Sequence, residues 1–121
     1  MKVSLLALLI VVASTAPVSG SGRGRSHSIT WGSRSFRDTH LQRVIITEKS
    51  KFLRVVTRDY VFEQKIRPRM ITQIVVTDQV RGGDGGYAQL KAGGPHATFA
   101  RIHFKSQRNK GFSFIVDIYG I

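Results

Sequence analysis

Positive charge is what this chain carries in quantity. Between positions 49 and 69 lie Lys49, Lys51, Arg54, Arg58, Lys65, Arg67 and Arg69 against only Asp59 and Glu63. Further on, Arg101, His103 and Lys105 alternate with Ala100, Ile102 and Phe104, and Arg108 and Lys110 follow. On a strand, alternate side chains project from one face with i to i+2 separations of roughly 6.6 Å, so the first three would form a row of cations that Arg108 and Lys110 extend into a turn. Such a row suits a polyanion, because several cations gain jointly by releasing its condensed counterions even though each exposed pairwise attraction is small. Nothing in the row reads base edges. DNA and heparin would therefore be held alike, nucleic acid without sequence preference. The competing reading is a solvated surface that keeps the protein soluble, with specificity in the glycine loops and Arg81 and Asp84 as loop contacts. Trp31, Phe52, Tyr60 and Phe99 could stack on bases only if exposed together, and core burial is the expected fate of most of them.

Other chemistries find less support. His27, His40, His96 and His103 lack the i, i+2 or i, i+4 spacing that puts two imidazoles on one metal, and there is no cysteine beside them. No metal or cofactor is expected. The mature sequence holds no G-x-S-x-G turn for a serine nucleophile. Its acids, Glu48, Glu63 and the aspartates at 38, 59, 78, 84 and 117, read as surface partners of nearby Arg or Lys. No catalytic residues are expected, and the protein reads as a non-enzyme. Gly82-Gly83-Asp84-Gly85-Gly86 invites a phosphate-cradle reading, yet Tyr87-Ala-Gln-Leu-Lys91 after it reads as a strand, whereas a cradle opens a helix. A flexible hairpin loop is the simpler expectation. Asp78 and Asp84 lack the spacing of a calcium loop.

The elements that must position these side chains are strands. Short runs rich in Val, Ile, Thr and aromatics alternate with turn clusters, and no long stretch repeats every 3.6 residues. Phe112, Phe114, Val116 and Ile118 share one face, with Ser113, Asp117 and Tyr119 on the other and Ile115 as the exception. Together with 100–105 and the polar segment 106–111, this predicts an antiparallel β-hairpin with one core face and one basic wet face. Strands are also expected at 41–47, 52–62, 70–79 and 87–91, with order beginning near Ile29-Thr30-Trp31 and a break at Pro68. The fold class is all-β, a single small antiparallel β-sandwich or barrel-like domain over 29–121.

Ahead of it, Met1-Lys2, an apolar run from Val3 to Ala13 and the small-residue exit Val18-Ser19-Gly20 have the layout of a signal peptide over 1–20. The run covers about half of a bilayer's ~30 Å core, so no transmembrane anchor is expected. Residues 21–28, Ser-Gly-Arg-Gly-Arg-Ser-His-Ser, read as a flexible basic arm. Cleavage after Gly20 removes Lys2 alone of the charged set and leaves 18 basic side chains facing 7 acidic ones. A secreted, extracellular protein of this charge would meet a sulfated glycan, an anionic surface or an acidic protein. With no cysteine, its core alone must hold it together.

Several motifs resemble a known family. They are His27-x-x-x-Trp31-Gly32, Ile71-Thr72-Gln73-Ile74 with Asp78-Gln79, Gly85-Gly86-Tyr87-Ala88, Gly93-Gly94-Pro95, Phe104-Lys105-Ser106-Gln107-Arg108 and Gly111-Phe112-x-Phe114-x-Val116-x-Ile118-Tyr119-Gly120. The chain resembles the insect proteins named for the transcription co-activator multiprotein bridging factor two, whose members are often described as probable salivary secreted peptides. The resemblance spans essentially the whole mature chain. Arg23, Arg25 and the Arg81-Gly82-Gly83-Asp84 loop depart from typical members. The resemblance implies no catalytic residues. It implies either a small secreted binding protein or, following the family name, a co-activator bridging transcription factors. Val116 to Ile121 and the Gly-Gly turns also resemble jacalin-type lectins over that stretch only, which leaves a lectin-like glycan binder as a further alternative.

Overall fold

A computed structural model describes residues 26–121. The signal peptide expected over 1–20 and residues 21–25 of the basic arm lie outside them. Seven strands are described: β1 (Ile29–Gly32), β2 (Thr39–Glu48), β3 (Thr57–Phe62), β4 (Ile71–Asp78), β5 (Tyr87–Gly93), β6 (Ala100–Lys105) and β7 (Phe112–Gly120). They form two antiparallel sheets, one four-stranded in the order β1-β4-β7-β2 and one three-stranded in the order β3-β6-β5. The sheets do not close into a barrel, so the sandwich alternative holds. Among the described residues no helix is long and apolar enough to cross a membrane.

Period-two patterning decides which side chains meet between the sheets. From β7 come Phe112, Phe114, Val116 and Ile118, from β6 Ala100, Ile102 and Phe104, and from β4 Ile71, Ile74 and Val76, all buried. Ile46, Val56 and Phe62 complete the core. At its centre Phe104 lies 5.9 Å from Phe112 and 5.2 Å from Phe114, ring centre to ring centre, and Phe112 and Phe114 are 5.8 Å apart. These separations fall in the range of favourable offset and tilted aromatic contacts.

The expected hairpin between 100–105 and 112–119 does not form. β6 belongs to the three-stranded sheet and β7 to the four-stranded sheet, so the two strands face one another across the core instead of pairing edge to edge. Both arrangements bury the same alternate residues, and alternation alone cannot separate them. What separates them is segment 106–111, which is fastened to a distant part of the chain. Ser106 is buried, its Oγ accepts the Val56 N–H at 2.8 Å, and its own N–H donates to the Val56 carbonyl at 2.8 Å. The strand expected over 52–62 likewise begins only at Thr57, because Lys51 to Arg54 form a tight turn. β5 and β6 are the one pair of described strands both consecutive and hydrogen-bonded together.

Polar groups brace the outer face of the larger sheet. Asp117, on the solvent side of β7 yet only 6 % exposed, accepts from Arg43 Nε at 2.8 Å and Nη2 at 3.2 Å and from His40 Nε2 at 2.8 Å. Arg43 is its direct cross-strand partner on β2. The Arg43 hydrogen bonds, with help from His40, hold the Asp117 carboxyl below the usual carboxylate range despite its burial, and the same bond raises the Arg43 guanidinium. At Asp38 burial acts to raise the carboxyl, but donors at the Ser35 backbone, Arg34 and Thr72 outweigh it and the net direction is down. Arg34 also lies over the Tyr119 ring at 3.9 Å. Where β2 nears β3, Arg58 reaches Glu48 at 3.3 Å, and burial raises the Tyr60 hydroxyl against an opposing hydrogen bond with Gln42.

Replacing Phe114 by Ala should cost about 3–5 kcal/mol. That is a large part of the stability of a small domain, and the urea midpoint should drop accordingly. Asp117 makes a second expectation. Its folded pKa lies below the unfolded reference of 3.8, so its contribution to stability is present above that value and is lost as pH falls through the folded pKa. Urea midpoints taken from neutral to strongly acidic pH should show Asp117→Asn less stable than the wild type near neutrality, with the gap closing at the acid end.

Candidate functional site

β6 runs through the middle of the three-stranded sheet, so its outward residues have neighbours on both sides. His103 stands opposite Asp59 of β3 and Gln89 of β5, and Lys105 opposite Thr57 and Tyr87. Arg101, at the far end, faces Val61 and Ala92. A bulge between Leu90 and Ala92 leaves Lys91 exposed at the rim. Tyr87, Gln89, Lys91, His103 and Lys105 line a shallow depression of about 380 Å³ on this outer face. Lys91, Arg101 and Lys105 are exposed and have no ion-pair partner among the described residues. His103 Nδ1 donates to Asp59 Oδ1 at 2.6 Å, which fixes the imidazole and leaves Nε2 as its other polar edge. The face thus combines exposed cations with an amide, a phenol and an oriented imidazole, groups that hold anionic oxygen.

The depression has a rigid wall. His27 stacks on Tyr87 with ring centres 4.6 Å apart, its Nδ1 lies 2.9 Å from the Gly86 carbonyl, and its N–H donates to Asp78 Oδ2 at 3.0 Å. The basic arm expected over 21–28 therefore ends in residues that are fastened. The glycine cluster is fastened as well. Gln107 donates to the carbonyls of Gly83 and Gly85 at 2.7 and 3.0 Å, and a Cβ on Gly86 would come within 2.6 Å of the Lys105 carbonyl oxygen. The segment leads from β4 in one sheet to β5 in the other, not through a hairpin, and strand β5 follows it where a phosphate cradle would need a helix.

The structure divides the residues expected to act together. Arg101, His103 and Lys105 share the sheet face, whereas Arg108 and Lys110 lie on the crossing from β6 to β7. There Arg108 donates to the Leu53 carbonyl at 2.8 Å and Lys110 approaches Asp84 at 3.9 Å. Arg81 is exposed in the glycine segment. Of the four aromatics weighed as a stacking platform and expected for the most part in the core, Trp31 and Tyr60 pack against it, whereas Phe52 and Phe99 are exposed. The histidines go separate ways, His27 to the glycine carbonyls, His40 to Asp117 and His103 to Asp59, and His96 sits in a turn with φ of 75°. Tyr87, Gln89 and Lys91 were missed as site residues. Their alternation with Ala88 and Leu90 carried a signal, but only the pairing of β5 with β6 brings them beside Lys105.

Comparison with known proteins places this arrangement in a lineage. The family model described as Transcription activator MBF2 matches residues 31–120, from Trp31 at the rim of the fold to the end of β7. A protein of Bombus ignitus named "Probable salivary secreted peptide" is 31% identical over 118 residues, covering 94% of this chain and 87% of its own length. No solved structure matches. The matched span takes in the core, the fastened glycine segment and the cationic sheet face alike, and on it the chain belongs to the MBF2 family.

Proposed function

We propose that this is an exported, non-enzymatic binding protein that holds a polyanion, a sulfated glycan in the first instance, on the outer face of its three-stranded sheet. One observation carries the reading: Lys91 and Lys105 in the lining of the depression, and Arg101 farther along the same face of β6, have no ion-pair partners among the described residues, on a backbone held in place by β-pairing and by the His27–Tyr87 stack. Rigid placement lowers the ordering cost of binding, and unpaired cations surrender no existing bond to meet sulfate. Export is supported by the signal-peptide pattern of residues 1–20 and by the name of the Bombus ignitus relative.

Export is checked by expressing the full-length chain in insect cells, where protein in the medium should begin at or near Ser21. Full-length chain found only in nuclei would favour the co-activator role in the family's description. The glycan contact is checked by changing Lys91, Arg101 and Lys105 together to Glu. Heparin retention should move to markedly lower salt, and the slope of log affinity against log salt should fall by roughly two to three. A folded triple variant that elutes where the wild type does would remove the sheet face as the contact.

A further inference from the structure

At the end of the sandwich where β2 gives way to β3, the chain holds two apolar side chains out into water. Lys51 and Arg54 close a tight turn through the Arg54 N–H to Lys51 carbonyl bond at 3.0 Å, and the tip residues Phe52 and Leu53 are 80% and 57% exposed. Leu53 has φ of 56°, a left-handed conformation that a branched side chain rarely adopts. The turn keeps it because the β6–β7 crossing grips it from outside. Asn109 Oδ1 accepts the Leu53 N–H at 3.0 Å, Arg108 Nη1 donates to the Leu53 carbonyl at 2.8 Å, and the Asn109 N–H donates to the Arg54 carbonyl at 2.8 Å. Gly111 lets the crossing lie against the backbone of Glu48 to Ser50, where any Cβ would clash. Backbone held in a disfavoured conformation to display an apolar tip mostly to solvent points to a use for the tip.

The surroundings say what that use is. Lys49, Lys51, Arg54, Arg108 and Lys110 are all exposed on the two segments that form this end. Of the acids nearby, Glu48 is engaged by Arg58 at 3.3 Å and Asp84 is approached by Lys110 at 3.9 Å. A convex apolar tip set in a collar of cations is complementary to an anionic bilayer, in which acyl chains accept Phe and Leu while headgroup phosphates and carboxylates meet Lys and Arg. We propose that the Phe52-Leu53 tip is a membrane-docking element specific for anionic lipid surfaces. Neither half is sufficient alone, since stable attachment of a peripheral protein takes two signals, and this end supplies one apolar and one basic. The site is distinct from the sheet face and does not depend on the glycan reading. A control lies at the other end of the sandwich, where Ile66, 85% exposed, occupies a turn between Lys65 and Arg67 but has no apolar neighbour in sequence.

The mature protein is mixed with vesicles of phosphatidylcholine and phosphatidylserine, and with vesicles of phosphatidylcholine alone. Sedimentation with the anionic vesicles only is expected. Phe52→Ser should weaken it roughly tenfold, because burying a large apolar side chain is worth about that step or more. Lys51→Gln with Arg54→Gln should weaken it on the order of 25-fold, about fivefold for each cation near an anionic surface. Phe52 lies mostly in solvent, so Phe52→Ser should keep the wild-type melting curve and heparin retention. Because the chain has no cysteine, Phe52→Cys and Ile66→Cys each give one site for an environment-sensitive fluorophore. The probe at 52 should shift to the blue and be quenched by lipid-borne quenchers, while that at 66 should do neither. Failure to sediment, full binding by Phe52→Ser, or equal insertion at both positions would overturn the proposal.

Discussion

The contact on which this structure depends is the aromatic seam between β6 and β7, where Phe104 meets Phe112 and Phe114 across the core. No disulfide staples the sheets, so burial between them must offset the conformational entropy of a chain that keeps crossing from one sheet to the other. Apart from β5 with β6, no strand pairs with its neighbour in sequence among those described, and β7 is hydrogen-bonded on both sides to strands far from it along the chain. Most of the pairing in either sheet therefore waits on segments far apart in the chain. Such non-local pairing folds slowly, and it makes the seam a cooperative lock whose two sides have value only together.

With the inner faces committed to the core, the outer faces are left for polar work, and the uneven charge inventory governs how they use it. The seven acids are largely consumed in bracing. Asp117 ties β7 to β2 through Arg43 and His40, Asp38 ties the β1–β2 connection to β4 through Thr72, Asp78 receives the His27 backbone, and Asp59 orients His103. Each acid so used holds a polar edge that alternation or turn chemistry would leave loose. The cations outnumber these tasks, and part of the surplus stands on the three-stranded sheet and at the β2–β3 end. A long-range positive field follows from the total, but where contact occurs follows from the few carboxylates and which cations they have already taken.

The faces of the strands were legible in the sequence and their partners were not. Phe112, Phe114, Val116 and Ile118 announce an inner face by period two, and Arg101, His103 and Lys105 announce an outer one, since each pattern needs only the local geometry of a strand. Pairing is a property of the whole chain. Ser106 and Asn109 decide where β7 goes by bonding to Val56, Leu53 and Arg54, some 50 residues away, and a polar residue bound to distant backbone looks like any other turn residue. For the same reason Tyr87, Gln89 and Lys91 could be placed on a strand face but not beside Lys105. Phe52 was expected to open a strand, and its exposure follows from a turn that no glycine, proline or asparagine within it signals.

The crossing that replaces the expected hairpin also explains why the two candidate surfaces coexist. A hairpin would have kept segment 106–111 at the tip of its own sheet, bound to nothing beyond it. By passing between sheets the segment must lie over the β2–β3 turn, and there it supplies the donors and acceptors that hold Leu53 in its left-handed conformation. Arg108 and Lys110 are thereby drawn from the sheet face to the end of the molecule. The sheet keeps Arg101, His103 and Lys105 on one face, the latter two lining a depression, suited to an extended anionic chain, while the end gains cations around an apolar projection, suited to a surface that yields. One change of connectivity, fixed by the bonds of Ser106 and Asn109 to distant backbone, thus divides a single basic patch into two surfaces of different chemistry.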